Sequence, residues 1–465
     1  MAKSNGYFSH EKNTMFRWIQ FYLKEWSQSA YRKPLLLRGA RQVGKTFAVR
    51  QLGAAFPHFI EVNFEASPKL KKIFTDDKEL NPERIIRDLS LTLNAEIIPG
   101  KTLLFFDEIQ EAPAALIALR YFYEKMPELH VIAAGSLLDF VIESIGTPVG
   151  RVDFLNMYPM TWFEFLIAKG HHLIVKAILS QDANQPMTEI IHQKCLELLA
   201  EYLVIGGMPA AVDCWIQSQN PHECLKIQQS LLQTYRQDFY KYAKEHQIKY
   251  VEWVFEGCSA QLGKIFKFSH LGSEFRQREL MPALSLLEKA NIVHRVYYSS
   301  GQGIPLGAQI NPKKYKIIFL DVGLSQTMLG VNIADWFLEA EKTLINQGAI
   351  TEAFVGQELL AYGNPYQKDY LYFWQREAKG SEAEVDYIIP FQQQVIPVEV
   401  KSGKGTQLKS LHLFLESHPK SSFGIRFSSH HFSIHEKLKS YPLYAIPSAL
   451  QWNPPPDWEK LSKKS

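Results

Sequence analysis

A phosphate-binding loop is the first feature of this sequence that could do chemistry. Residues 39–46 fit the pattern G-x-x-x-x-G-K-[ST]. The two glycines let backbone N–H groups turn inward around phosphates. Lys45 is expected to reach the β- and γ-phosphates of a nucleotide, and the Thr46 hydroxyl to bind Mg²⁺. The sequence therefore predicts that ATP binds to the whole loop: Gly39, Ala40, Arg41, Gln42, Val43, Gly44, Lys45 and Thr46.

An acidic pair at the end of an apolar run supports this prediction. The run that ends in Asp107-Glu108 indicates a buried parallel strand with carboxylates at its C-terminal end. Ligands of open α/β sheets bind at that edge. Asp107 is expected to hold Mg²⁺ through water, and Glu108 to polarise the attacking water as general base. A solvated acidic turn would explain an isolated Asp-Glu pair, but the two motifs in this order favour nucleotide binding.

Four charged residues near the C-terminus form a second candidate site. Residues 383–389 and 395–401 read as two strands of a hairpin, which would place Asp386 opposite Glu399. Alternation then puts four side chains on one face of the hairpin: Glu384, Asp386, Glu399 and Lys401. Pro397 argues against a central strand here, unless it lies at a bulge or a sheet edge.

Opposed carboxylates are destabilising without a counter-charge, which a divalent metal or a proton would supply. Asp386 and Glu399 are therefore candidate Mg²⁺ ligands, with Glu352 on the preceding helix as a third carboxylate. Lys401 could orient or activate a water, as phosphodiester hydrolysis requires. An exposed polar hairpin with Glu–Lys pairs is the alternative, and it stays open at this point.

Composition sets only broad limits on function. The 465 residues include 51 Lys and Arg against 48 Asp and Glu, a formal charge of +3, which leaves room for one local basic surface. The four cysteines lack C-x-x-C spacing, so no zinc or redox motif is indicated and a reducing cytoplasm is expected. No apolar run reaches the length of a membrane span, so no membrane partner is predicted.

The order of the segments predicts a multidomain α/β protein. Apolar strands alternate with helices, which indicates a parallel sheet with helices on both faces. These strands are expected at 34–38, 58–64, 101–106 and 130–135, and residues 152–156 are a candidate for a fifth. The predicted domains are an ATPase domain at 1–165, a helical region at 166–255, a winged-helix-like region at 256–335, an α/β domain at 340–450 and a tail at 451–465.

The winged-helix-like region is predicted from its order of helix, strand, Gly-rich turn and strand. Arg276 and Arg278 lie near the start of its candidate recognition helix. A plain spacer between domains, without DNA contact, is an equally good interpretation because fold does not imply function.

Several motifs together resemble a widespread prokaryotic family of AAA-type ATPases. The C-terminal domain of that family has no known function and resembles PD-(D/E)xK, RecB-like nucleases. The resemblance covers nearly the whole chain, and its ATPase motifs are more specific than its nuclease-like ones. It rests on these segments of the sequence: 39–46, 107–110, 134–136, 158–165, 206–209, 321–324, 351–356 and 398–401.

The resemblance implies further roles. Ser136 would be the polar sensor residue that contacts the γ-phosphate or water, and Arg151 a candidate arginine finger, with a structural arginine as the alternative. Glu352, Asp386, Glu399 and Lys401 match nuclease positions, which implies a restriction-endonuclease-like C-terminal domain. Glu384-Val385-Asp386 stands where Pro-Asp often appears in the family, but the aspartate is kept.

Two functions follow from these observations. The first is an ATP-driven enzyme that acts on DNA and cleaves it with Mg²⁺. The second is an ATP-dependent regulator or interaction protein whose C-terminal domain binds nucleic acid or a partner without cleavage. A homo-oligomer is possible in either case.

Overall fold

The computed structural model describes residues 15–75, 79–146, 150–181, 186–330, 348–368, 370–376, 383–402, 408–455 and 458–459. These residues form two sheets, one of five strands and one of eight, with helices around and between them.

The first sheet is parallel throughout and has the strand order β2-β3-β4-β1-β5. Its strands are β1 (Leu35–Arg38), β2 (His58–Asn63), β3 (Thr102–Asp107), β4 (His130–Ala134) and β5 (Asp153–Asn156). The parallel sheet predicted from the alternation of strands and helices is therefore confirmed.

Both faces of this sheet are covered, because alternate side chains of each strand enter different apolar clusters. Leu103 and Phe105 of β3 pack into one cluster, and Leu104 and Phe106 into the other. The covering helices are α1 (Ile19–Gln28), α2 (Lys45–Gly53), α3 (Pro82–Leu93), α4 (Pro113–Lys125) and α5 (Leu138–Ile145). Near-continuous apolar strands are typical of a parallel sheet buried on both sides.

Helices fill the middle of the chain. They are α6 (Trp162–Ala168), α7 (His172–Ser180), α8 (Glu189–Ile205), α9 (Pro209–Ser218), α10 (Pro221–Tyr242), α11 (Glu245–Ala260) and α12 (Gln277–Lys289). Thr161 and Glu164 form a capping box at the start of α6, so its first N–H groups are satisfied by side chains.

The second sheet is mixed and has the order β12-β13-β11-β10-β9-β8-β6-β7. Its strands are β6 (Val293–Ser299), β7 (Ile310–Phe319), β8 (Leu371–Gln375), β9 (Glu384–Phe391), β10 (Gln394–Lys401), β11 (Gly424–Ser428), β12 (Ser433–His435) and β13 (Leu438–Pro442). The helices along it are α13 (Val322–Met328), α14 (Gly348–Ala361), α15 (Lys409–Ser417) and α16 (Ile446–Ala449). Short 3₁₀ segments occur at Pro68–Phe74, Ile109–Glu111, Phe268–Leu271, Leu306–Gln309 and Leu443–Ala445.

The predicted winged-helix-like region does not form a domain of its own in the structure. Its helix and hairpin are present as α12, β6 and β7, but β6 also pairs in parallel with β8. The hairpin is therefore the edge of the second sheet. The predicted boundary near residue 335 divides this sheet, because the backbone hydrogen bonds of β6 are completed by a strand that comes about 75 residues later.

The predicted hairpin of the C-terminal region has the expected register. Gln394 pairs with Phe391, and Val398 pairs with Tyr387. In this register, Glu399 and Asp386 are the next residues of the two strands. The reservation about Pro397 is answered by the topology. The strand β10 is central, but its parallel pairing with β11 begins at Val398, one residue after the proline.

Two buried carboxylates join the helices beside the first sheet to the second sheet. Glu358 of α14 accepts a hydrogen bond from the Trp162 backbone N–H at 3.0 Å. Asp321, at the start of α13, accepts from the Gly207 N–H at 2.6 Å. Burial raises the pKa of Glu358 to about 8 and that of Asp321 to about 6.

Glu358 should make stability depend on pH. Its folded-state pKa of about 8 lies above its ordinary value of 4.5, so its contribution is fully present below pH 4.5 and is lost as pH rises through 8. The loss between these two pH values corresponds to roughly 5 kcal/mol. Glu358→Gln keeps the acceptor for Trp162 and should flatten the fall in melting temperature between pH 5 and pH 8.5. Glu416→Gln, at an exposed position, is the control, and an equally steep fall in both variants would contradict the assignment.

Candidate nucleotide site and carboxylate cluster

The phosphate-binding loop has the backbone shape that its glycines predict. Gly39 has φ +142° and Gly44 has φ +99°. A Cβ at Gly39 would lie 2.2 Å from the Met157 carbonyl oxygen, so this position has no room for a side chain. The loop leads from β1 into α2, and its N–H groups lie at the N-terminus of that helix.

Lys45 is buried and caps the loop. Its Nζ donates to the carbonyl oxygens of Gly39 at 2.9 Å and Ala40 at 2.8 Å. Burial lowers the pKa of Lys45 to about 8, and the nearby Glu108 and Asp107 oppose this effect. Phosphate oxygens in the loop would be stronger acceptors than the two carbonyls, because they carry charge.

Thr46 and Asp107 lie side by side, as the sequence predicts. The Thr46 hydroxyl is 3.2 Å and 3.1 Å from the two Asp107 carboxylate oxygens, and the Asn63 amide donates to the same carboxylate at 3.2 Å. Burial raises the pKa of Asp107, with Glu108 adding to the effect. Hydroxyl and carboxylate oxygens are the hard donors that Mg²⁺ prefers, so these residues fit that ion.

Glu108 is held by a residue that sequence analysis did not single out. The Gln110 side-chain amide donates to Glu108 Oε2 at 2.5 Å. The other end of Gln110 lies against Gly135, where a Cβ would be 2.2 Å from Gln110 Oε1. Glu108 itself has φ +51°, which is uncommon for a residue with a side chain. The feature of the sequence that could have indicated this hydrogen bond was the position of Gln110, two residues after Glu108.

The two residues whose roles came from the resemblance lie in different surroundings. Ser136 is buried and follows β4, whose Ala134 pairs with Asp107. Arg151 instead pairs with Glu124 of α4 at 3.0 Å, and its side chain is 43% exposed. The structure therefore brings Ser136 to the edge of the sheet that carries Asp107, and it leaves Arg151 at the surface.

Arg41 joins the loop to the helical region. Its guanidinium pairs with Asp238 of α10 at 2.6 Å, and the Tyr235 hydroxyl donates to the Arg41 carbonyl at 2.6 Å. The loop is thus anchored to α10 as well as to its own sheet.

A cavity of about 280 Å³ opens beside Gly44 and could hold the base of a nucleotide. It lies between the N-terminal segment and the start of α9. Its lining residues are Met15, Arg17, Gly44, Phe47, Pro209, Ala210, Asp213 and Gln217. Sequence analysis missed this cavity because Gly206-Gly207-Met208-Pro209 reads only as a helix stop, although Pro209 also lines it.

Arg17 fixes one wall of this cavity. It donates to the carbonyl oxygens of Val43 at 2.6 Å and Tyr158 at 2.7 Å, and it pairs with Glu164 at 3.1 Å. No local pattern around Arg17 indicates this role, because all three partners are distant in the sequence.

In the second sheet, the structure places a lysine among the predicted carboxylates. Lys316 Nζ lies 2.8 Å from Glu352, 2.6 Å from Glu384 and 3.8 Å from Asp386. Its side chain is 2% exposed. Burial lowers the pKa of Lys316, but the three carboxylates together outweigh this effect and raise the pKa above its ordinary value. Burial raises the pKa of Glu352 to about 7.

The other two predicted residues form a neighbouring pair. Lys401 Nζ donates to Glu399 Oε1 at 2.6 Å, and Asp386 accepts from the Val400 N–H at 2.7 Å. Burial and the nearby Asp386 raise the pKa of Glu399 to about 7.

The observed arrangement of these side chains differs from the predicted metal site. In the described ranges, no three His, Cys, Asp or Glu side chains form a group that could hold a metal ion, so Glu352, Asp386 and Glu399 do not assemble as one. Lys316 instead supplies the counter-charge of Glu352 and Glu384, and Lys401 that of Glu399. The available signal was a lysine inside the apolar segment of β7, since buried lysines are rare and paired.

Comparison with known families supports the first site. Residues 31–166 match the family description "AAA domain". Residues 196–335 and 347–447 match two domains of unknown function, DUF8612 and DUF4143. The DUF8612 match crosses the predicted boundary between residues 255 and 256. Among curated proteins, none matches this chain.

Solved structures with similar parts include three nucleotide-related proteins. The Walker-type ATPase PABY2304 of Pyrococcus abyssi is 14% identical, with 70% of this chain and 96% of that chain covered at a TM-score of 0.43. Aeropyrum pernix Orc1 in complex with DNA is 12% identical, with 68% and 91% covered at 0.27. AMPPCP-bound DnaA from Aquifex aeolicus is 12% identical, with 61% and 93% covered at 0.28. At these TM-scores the similarities carry no argument about function.

The parallel sheet, the phosphate-binding loop and the family match together define an AAA-type P-loop ATPase domain. The family matches in the rest of the chain have no assigned function. Within the part of the chain that the structure describes, no helix is long and apolar enough to cross a membrane.

Lys45→Ala should abolish ATP binding, because it removes the one ammonium that the loop directs at the phosphates. The measurement is titration with a fluorescent ATP analogue, with Lys24→Ala at an exposed position as control. Circular dichroism checks that the variant is folded. Nucleotide affinity equal to that of the control would overturn the assignment of the loop.

Glu108→Gln should bind ATP normally, but its rate of hydrolysis should be at least about 10²-fold below that of the wild type, since it lacks a base for the attacking water. Glu111→Gln, which removes a partly exposed carboxylate paired with Lys71, should leave turnover unchanged. Steady-state phosphate release measures both variants. Wild-type turnover in Glu108→Gln would mean that another group accepts the proton.

Proposed function

We propose that the protein is an ATP-hydrolysing regulator or interaction protein whose C-terminal sheet binds nucleic acid or a partner without cleaving it. The observation that carries the second half of this proposal is the buried Lys316 among Glu352, Glu384 and Asp386. The ATPase half rests on the phosphate-binding loop and on Asp107 and Glu108.

In the ATPase domain, the proposed roles follow from the contacts of each side chain. Lys45 exchanges its two carbonyl acceptors for phosphate oxygens. Thr46 and Asp107 hold Mg²⁺, which neutralises charge on the phosphates when it is bound with ATP. Glu108 accepts a proton from the attacking water, and Ser136 contacts the γ-phosphate or that water.

Gln110 is proposed to limit the activity of Glu108. The hydrogen bond from the Gln110 amide to Oε2 fixes the direction in which the Glu108 carboxylate points. Hydrolysis then requires Glu108 to turn away from Gln110 toward the water, so the bond favours slow turnover until a conformational change releases it.

In the C-terminal sheet, Lys316 opposes metal-dependent cleavage. An ammonium 2.6 Å to 2.8 Å from two carboxylates occupies the space and the charge that a divalent cation would need. The Lys316 side chain is buried, so it cannot leave this position without breaking its ion pairs with Glu352 and Glu384. Removing one partner of such a pair typically costs about 3–5 kcal/mol.

A second candidate function, Mg²⁺-dependent cleavage of DNA, is favoured by a different observation. In the described residues, Glu399 Oε2 is buried and has no hydrogen-bond partner, although Lys401 and Asp386 lie beside it. A cation coordinated there would satisfy this oxygen. The two candidates therefore differ in whether Lys316 or a metal neutralises the carboxylates.

Other proposed features depend on assembly and location. Arg151 is a proposed arginine finger only if a second copy of the chain presents it to a neighbouring loop, because it lies at the surface of its own domain. The cytoplasm is the proposed location, since the four cysteines are free thiols.

The two candidates are separated by incubating plasmid and branched DNA with Mg²⁺ or Mn²⁺, with and without ATP. We expect no cleavage by the wild-type protein or by Lys401→Ala, while ATP turnover continues in both. Cleavage that is present in the wild type and lost in Lys401→Ala would overturn the proposal and establish the nuclease.

Lys316→Met gives an independent test of the same proposal. In this variant, the three carboxylates around residue 316 lose their counter-charge, so the protein should be strongly destabilised. Mn²⁺ added without nucleotide should then raise its melting temperature. The double variant Lys316→Met/Glu352→Gln should recover part of the lost stability and respond less to Mn²⁺. A wild-type protein that Mn²⁺ stabilises as much as Lys316→Met would contradict the role of Lys316.

A further inference from the structure

A concave surface on the edge of the second sheet is not used by either site described above. It lies between the loop at residues 266–275, the first turns of α12 and the β6–β7 hairpin, and it encloses about 690 Å³. We call it the basic groove. It is lined by Phe266, Lys267, Phe268, Ser269, Gly272, Phe275, Gln277, Met281, Arg295, Pro312, Lys313 and Tyr315.

The positive charge of the chain is concentrated around this groove. Residues 264–314, which leave out the buried Lys316, contain eight Lys and Arg against three Asp and Glu, a formal charge of +5, whereas the whole chain carries only +3. The lining of the groove includes three of the basic residues and none of the acidic ones. A local excess of this kind attracts a polyanion even when the chain as a whole is nearly neutral.

The charged groups at the basic groove differ in their exposure and in their ion pairs, and therefore in whether they can contact a ligand. Arg295 pairs with Glu288 at 3.3 Å and lies over the Tyr315 ring, so it supports the wall of the groove. Lys267 and Lys313 are exposed and line the groove. Arg276 and Arg278, also exposed, extend the positive surface along the start of α12.

The floor of the groove is aromatic and apolar. Phe275 is partly exposed, and its ring makes T-shaped contacts with Tyr250 at 5.0 Å and Trp253 at 5.4 Å, while the Lys249 ammonium lies 5.5 Å from its centroid. Met281 is 50% exposed beside it, which is unusual for a large apolar side chain. A rigid aromatic ring below a rim of cations is the arrangement with which proteins bind unstacked bases and their phosphates.

We propose that the basic groove binds single-stranded nucleic acid. Phosphates contact Lys267, Lys313 and Arg278 at the rim, and one unstacked base lies against Phe275 and Met281. The volume is in the range of about 300–1,000 Å³ typical of pockets for small ligands, which suits one nucleotide and is too small for a duplex. This inference rests on the proposed function, to which it adds the class of partner and the place where it binds.

The first test measures binding of a fluorescent oligothymidylate of 20 nucleotides by anisotropy, in EDTA and without ATP. The triple variant Lys267→Glu/Arg278→Glu/Lys313→Glu should bind at least about tenfold more weakly, and its affinity should depend less steeply on salt. The triple variant Lys72→Glu/Lys101→Glu/Lys437→Glu changes the net charge equally at exposed positions elsewhere and should bind like the wild type.

The second test separates the base from the phosphates. Phe275→Leu keeps an apolar floor, and we expect about tenfold weaker binding of the single strand with an unchanged salt dependence, since only stacking is lost. Equal effects of the two triple variants, tighter binding of a duplex of the same length, or no binding by the wild type would each overturn the proposal. ATP turnover of the same preparations shows whether the proposed ATPase is intact, so failure of the groove and failure of the ATPase are distinguishable.

Discussion

The structure around the nucleotide site depends on a buried arginine, Arg17. Its guanidinium reaches the phosphate-binding loop at Val43, the segment after β5 at Tyr158 and the carboxylate of Glu164. Glu164 in turn accepts from the Trp18 N–H and from the Thr161 N–H at the start of α6. Removing the arginine would leave a buried carboxylate and two carbonyls without their charged donor, which is the most destabilising way to break such a pair.

A second buried cation, in the second sheet, likewise joins segments that are distant in the chain. Lys316 joins β7 to Glu352 of α14 and to Glu384 of β9. These elements are adjacent in space but belong to different parts of the chain, so the ion pairs also fix the way in which the hairpin β6–β7 meets the C-terminal strands. The consequence is that a buried lysine supplies the counter-charge of these carboxylates.

Features set by local sequence could be predicted, and features set by distant partners could not. The five strands of the first sheet follow from apolar segments of the right length, and the register of Asp386 against Glu399 follows from the short connection between two strands. Arg17 left no such pattern, and Lys316 left only a single lysine in an apolar strand, because each acts on groups far away in the chain. The pairing of β6 with β8 is another long-range contact, and it turned a predicted wing into part of a sheet.

The two halves of the molecule are linked by rigid elements. Glu352 and Glu358 lie on the same helix, six residues and therefore about 9 Å apart, and they bind Lys316 and the start of α6 respectively. Asp321 follows β7, the strand of Lys316, and holds Gly207 just before Pro209 at the cavity beside the phosphate-binding loop. A movement of α6 or α9 on nucleotide binding must therefore carry β7 and α14 with it or break buried hydrogen bonds. Since breaking them leaves buried polar groups without a partner, we infer that the carboxylate cluster moves with the helices as one body.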